Sequence, residues 1–140
     1  MLNQKIVFLI GVEISKPVKT VFCVEDNEDI AEIIQYHLNG LGYRMCGVAD
    51  NAHDAVAGIR KSNPDIVLVD IGLNGKPEGL EIGNFLVSKT DIPFIYLSGM
   101  DDRETLENAK KTIPNGYLLK PFDETDLRIA LDMAQRKCEV

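Results

Sequence analysis

Four short apolar runs in this chain end in polar residues of the kinds that bind or react. Residues 18–24 (VKTVFCV) lead into Glu25 and Asp26, and residues 66–69 (IVLV) lead into Asp70. Residues 93–97 (PFIYL) lead into Ser98 and Gly99, and residues 116–119 (GYLL) into Lys120 and Pro121. Carboxylates brought together repel one another unless a cation lies among them. An all-oxygen donor set favours a hard ion such as magnesium, which binds few carboxylates and keeps several waters. A lysine adds a movable positive charge, and a serine adds a hydroxyl donor. One cation, one lysine and one hydroxyl suit the holding of a phosphoryl group. A central aspartate can then be the nucleophile that forms an acyl phosphate. Taken singly, these residues have blander readings: Asp26 or Asn27 could cap a helix, Ser98 could sit in a turn, Tyr117 in a core and Lys120 in water.

The residues cooperate only if the fold gathers them. Residues 18–24 are rich in β-branched and aromatic types, which predicts a strand. Ile30, Ile33, Ile34, Leu38 and Leu41 recur at helical spacing, and Gly40 and Gly42 mark the end. A second strand is predicted over 43–48. Asn51 can cap a helix whose inner face is Ala52, Ala55, Val56 and Ile59, stopped by Asn63 and Pro64. The unbroken apolar run 66–69 is the pattern of a strand covered on both faces. Ile82, Phe85 and Leu86 mark a third helix after the loop 72–79, and residues 93–97 a fourth strand. A fourth helix over 102–112 has only Leu106 and Ala109 clearly apolar. Residues 116–119 make a fifth strand, and Leu127, Ala130, Leu131 and Ala134 set the last helix on the sheet.

Strands alternating with helices predict an α/β domain, a doubly wound five-stranded parallel sheet with right-handed crossovers. Every strand of such a sheet points its carboxyl end to one edge, and ligands bind in the crevice there. Glu25, Asp26, Asp70, Ser98 and Lys120 thereby become neighbours. The domain spans 18–137. Residues 1–17 lie outside the pattern as an N-terminal extension, either an extra edge strand or a disordered tail. Its apolar run 6–12 could pair with another chain. The pattern runs out at 136–140 with no output module after it, so the chain reads as a stand-alone regulator or one piece of a larger protein.

Composition narrows the classes. A chain of 140 residues suits one domain with a real core, and 45% hydrophobic with 26% charged residues is the soluble globular range. A net charge of −7 argues against nucleic-acid binding by this chain alone, because phosphate contacts need clustered Lys and Arg. No run approaches the ~20 apolar residues of a membrane helix, and no secretory signal is evident. Cys23, Cys46 and Cys138 lack metal-type spacing. Cys23 and Cys46 read as small core residues, and a reducing cytoplasm as the setting. His37 and His53 are isolated and read as helix-surface residues.

The strand-end segments also carry a family resemblance. VEDNE (24–28), IVLVDI (66–71), YLSG (96–99) and GYLLKPF (116–122) occur in order. Together they resemble the four signatures of response-regulator receiver domains of two-component signalling, over residues 18–137. That family has a flavodoxin/CheY-like fold with strand order 2-1-3-4-5. The resemblance implies Asp70 as phosphoacceptor, loaded by a sensor histidine kinase or a phosphotransfer protein, with Ser98 and Lys120 completing the reactive set. It implies a magnesium or manganese ion held by Asp26 and Asp70 directly, by Glu25 through water, and by the carbonyl of Gly72. The amides of Ile71, Gly72 and Gly99 are expected to contact the phosphoryl oxygens. Tyr117 matches the aromatic switch whose ring turns inward when Ser98 moves, and the Lys120-Pro121 bond is expected to be cis. The fourth helix, fifth strand and fifth helix are the expected partner surface and a homodimer face. Gly72 and Met100 flank the path of hydrolytic water without an amide or carboxylate to orient it, which implies a persistent phosphorylated form.

The loop 72–79 departs from the family pattern: Asn74 stands where relatives often have proline, a feature closer to receivers that accompany sensor kinases. Two rivals remain beside the receiver reading. A pseudo-receiver would bind partners without phosphorylation, although Asp26, Asp70, Ser98 and Lys120 are all present. A phosphatase with an aspartate nucleophile would need a second acid two residues on, where Gly72 stands. The expectation is a signalling domain that catalyses only its own phosphorylation and dephosphorylation, not an enzyme acting on other substrates.

Overall fold

In the computed structural model, which describes residues 17–99 and 103–136, helices and strands alternate along the described residues. The order is β1 (Thr20–Val24), α1 (Glu28–Gly40), β2 (Arg44–Ala49), α2 (Ala52–Ser62), β3 (Ile66–Asp70), a 3-10 turn (Leu73–Gly75) and α3 (Gly79–Lys89). Then follow β4 (Phe94–Ser98), α4 (Arg103–Lys110), β5 (Gly116–Leu119) and α5 (Glu124–Arg136). The strands form one parallel sheet in the order β2-β1-β3-β4-β5, as expected from the sequence. After β1 the chain turns toward β2, and after β3 it turns toward β4, so a crevice opens between their carboxyl ends.

Alternation along the strands builds two cores. Phe22, Val24, Val67, Val69, Phe94 and Tyr96 face one side, where Ala55, Ile59, Ile82, Leu86 and Ala109 cover them. Val21, Cys23, Ile66, Leu68, Ile95 and Leu97 face the other, under Ile34 and Leu38 of α1 and Leu127, Leu131 and Ala134 of α5. Every residue of β3 and β4 is buried, which is why those runs are apolar throughout. Asn51 caps α2 by accepting from the Asp54 amide at 2.8 Å, and Asn63 ends it in the left-handed conformation.

Several expectations are corrected. Ile33 is exposed, because Ile30, Ile34, Leu38 and Leu41 already form the arc that meets the sheet and Ile33 lies one residue off it. In α4 the buried pair is Thr105 and Ala109, four residues apart, while Leu106 is only half-buried. The first strand starts at Thr20, whose amide donates to Asp65 at 2.7 Å; Val18 before it is exposed. His37 is half-buried rather than a surface residue, with Nδ1 3.4 Å from Glu124 at the start of α5. Cys23 is buried, Cys46 is half-buried, and both are free thiols. The expectations for residues 1–16, Met100 and Cys138 lie outside the described residues.

Candidate functional site

Local structure sets each reactive side chain. Asn27, not Asp26, caps α1: its Oδ1 accepts from the Ile30 amide at 3.1 Å. Asp26 is thereby left at the mouth of the crevice, and its Oδ2 accepts from the backbone N–H of Asn74 at 2.8 Å. Glu25 follows β1 directly and is buried. Its amide donates to the Ala49 carbonyl, which ties the end of β1 to β2. Asp70 ends β3 and is 6% exposed. Gly79 supports it from behind: its N–H donates to the Ile71 carbonyl at 3.0 Å, and a side chain there would collide with the Asp70 carbonyl oxygen.

Lys120 joins the acids. Its Nζ lies 2.9 Å from Glu25 Oε1 and 3.1 Å from Asp70 Oδ2, with the stem partly buried. Its backbone N–H donates to the Ser98 carbonyl at 2.9 Å, fastening the end of β5 to β4. The Lys120-Pro121 bond is cis. Ser98 is buried at the end of β4, and Gly99 lies against the Lys120 side chain. Tyr117 is partly exposed, its ring 6.0 Å from that of the buried Tyr96.

Electrostatics follow from this geometry. Burial pushes the Glu25 carboxyl up to about 7, against the opposing hydrogen bond from Lys120 and helped by the charge of Asp70. Burial works against the Lys120 charge as well. The hydrogen bond to Glu25 and the charge of Asp70 outweigh it, so its pKa lies above the ordinary lysine value.

The acids fit a cation. One carboxylate oxygen each from Glu25, Asp26 and Asp70 lie within 4.8 Å of one another. An octahedral ion with bonds of about 2.1 Å spaces its ligand oxygens about 3–4 Å apart, so small side-chain movements suffice. The backbone at Gly72 is close by, since its N–H donates to Asp70 Oδ1 at 3.1 Å. Ile71 differs from expectation: its N–H donates to the Leu97 carbonyl at 3.0 Å, so this amide belongs to the sheet and not to the crevice. The residue that sequence reasoning missed is Asn74, whose amide holds Asp26. Asn-Gly is a turn signal that tolerates positive φ, but it does not say where the amide points.

The arrangement agrees with comparisons to known proteins. The model of the response regulator receiver domain family matches residues 21–132. The transcriptional regulatory protein KdpE of Staphylococcus aureus is 32% identical over 116 residues, which cover 83% of this chain and 49% of KdpE. The transcriptional regulatory protein PdtaR of Mycobacterium tuberculosis is 28% identical over 106 residues, covering 76% of this chain and 49% of PdtaR. The chain spans about half the length of these curated relatives. The signal receiver domain of a modulated diguanylate cyclase from Desulfovibrio desulfuricans superposes with a TM-score of 0.81 at 36% identity, covering 89% of this chain and 100% of that one. With the family's sheet order, its match over most of the chain and the acids gathered at one edge, this chain belongs to the response regulator receiver domain family.

Proposed function

We propose that Asp70 accepts a phosphoryl group from a sensor histidine kinase or a phosphotransfer protein, with a bound magnesium or manganese ion. The observation that carries this reading is Lys120 lying between Glu25 and Asp70, in a crevice where a third carboxylate, Asp26, is within reach of both. An Asp70 carboxylate oxygen attacks phosphorus as the P–N bond to the donor histidine breaks, and that nitrogen leaves with the bonding pair. Lys120 can pass from Asp70 to a phosphoryl oxygen while Glu25 keeps its other contact. Gly72 N–H, on Asp70 Oδ1, holds the carboxylate in place for attack. Asp26 and Asp70 would hold the ion directly, Glu25 through water and Gly72 through its carbonyl, and the ion would neutralise phosphoryl charge. Ser98 and the amide of Gly99 would hold the remaining oxygens, joined by the amide of Gly72 as it turns from Asp70 Oδ1 after transfer.

The outcome would be read at α4, β5 and α5, where Ser98 and Tyr117 lie at the roots. That face would bind an output partner or a second copy of the chain. Two free thiols and the kinase donor point to the cytoplasm as the working compartment. No helix among the described residues is long and apolar enough to cross a membrane. The test uses magnesium with acetyl phosphate and intact-mass measurement. Wild type should gain one base-labile phosphoryl group and Asp70→Asn none. Equal labelling of the two would remove Asp70 from the role, and no labelling of either would favour a pseudo-receiver.

A further inference from the structure

The turn that follows the phosphoacceptor strand reaches across the acid cluster by its backbone. Asn74 has φ +55° and ψ +34°, and Gly75 follows with φ +75°. In that left-handed conformation the Asn74 N–H meets Asp26 Oδ2 at 2.8 Å. The Asn74 side chain donates in turn to the Asp50 carbonyl at 3.1 Å, just beyond β2. Leu73 beside it is fully buried and anchors the turn in the core. One residue of the β3 loop thus touches the ends of β1 and β2.

We infer that Asn74 is a positioning residue for the cation, acting through Asp26 by its backbone N–H; this rests on the reading of the acid cluster as a cation site. A charge-assisted N–H on one carboxylate oxygen fixes the rotation of Asp26 and leaves the other oxygen for a metal. Without it, an exposed aspartate samples several rotamers, and binding a cation must first order it. With residue 74 left-handed the amide faces Asp26, in a conformation that Cβ sterics penalise for most residues. Asparagine and glycine adopt it readily. The side-chain bond to Asp50 then holds the turn. A bland asparagine-glycine turn would satisfy the same dihedrals, but it would not make metal affinity depend on the amide of residue 74.

Three variants of the full chain separate these cases by magnesium calorimetry. Asn74→Pro removes the N–H and forbids positive φ. Asn74→Val keeps the N–H but resists the left-handed conformation. Asn74→Gly keeps both and loses only the side chain. The glycine variant should bind magnesium within about threefold of wild type, and the proline and valine variants about tenfold more weakly. Urea midpoints check folding; if the proline variant does not fold, the valine variant supplies the comparison. In wild type the Asn74 amide proton resonance should shift on magnesium addition, and Asp26→Asn should move it without magnesium. Proline and valine variants that bind like wild type would overturn the inference alone. A glycine variant as weak as proline would also overturn it, because the effect would then lie in the side chain. Wild type that binds no magnesium would overturn both this inference and the cation reading.

Discussion

The β1–β3 end of the sheet and its β5 side are built on opposite terms. At the first, every residue of β3 is buried, Gly79 sits against the Asp70 backbone, and the amides of Gly72 and Asn74 hold two of the acids. At the second, β5 is an edge strand with only Leu118 buried. Helix α4 beside it buries a threonine and an alanine instead of large apolar residues. Tyr117, Leu119, Ile129 and Met133 are exposed there, and Ile113 after α4 holds φ +54°, a strained value for a β-branched residue. The lesson is a division of labour. On the proposed function, acids that would share a cation need fixed geometry, whereas a face that would report a change must move at low cost.

The sharpest way to break this contrast is to truncate one residue from each region. Leu68→Ala in β3 should cost about 2–5 kcal/mol, because it empties fully buried space between the sheet and helices α1 and α5. Leu119→Ala, at a position 62% exposed, should cost within about 0.5 kcal/mol. Urea unfolding measures both. Similar losses would mean that the two sides are held alike.

A smaller effect separates the acids within the rigid end. On the proposed function, Asp26→Asn removes the charge of a direct ligand and should weaken magnesium binding by at least about tenfold. Glu25→Gln should weaken it less, because buried Glu25 is expected to act through water and spends one oxygen on Lys120. Calorimetry that ranks Glu25→Gln as the more damaging change would exchange their roles.

The smallest expected effect is a pH slope confined to the acid end. Glu25 titrates at about 7 in the folded chain against an ordinary 4.5, so the metal-free fold keeps a proton that the unfolded chain has released between those values. The stability due to that proton is fully present below about pH 4.5 and is lost as pH rises to about 7. For one proton the slope should not exceed about 1.4 kcal/mol per pH unit. Denaturation midpoints of Glu25→Gln, compared with wild type across this range, should lack that part of the decline. An unchanged slope would assign it to other groups.

What the sequence by itself determined was whatever repeats locally. Apolar runs of strand length, helical spacing of Ile34 and Leu38, and caps such as Asn51 have signatures in residue type, so element order and fold class were legible. The strand-end positions of Glu25, Asp26, Asp70, Ser98 and Lys120 followed, because a parallel sheet brings its carboxyl ends to one edge. Tertiary structure decided the rest. It assigned the cap of α1 to Asn27 and left Asp26 to the crevice. It turned Ile33 to solvent and buried Thr105 in place of Leu106. It committed the Ile71 amide to Leu97 and aimed the Asn74 amide at Asp26. Every residue except proline carries the same N–H, so residue type cannot say which amide meets which carboxylate; only the path of the loop across neighbouring strands does.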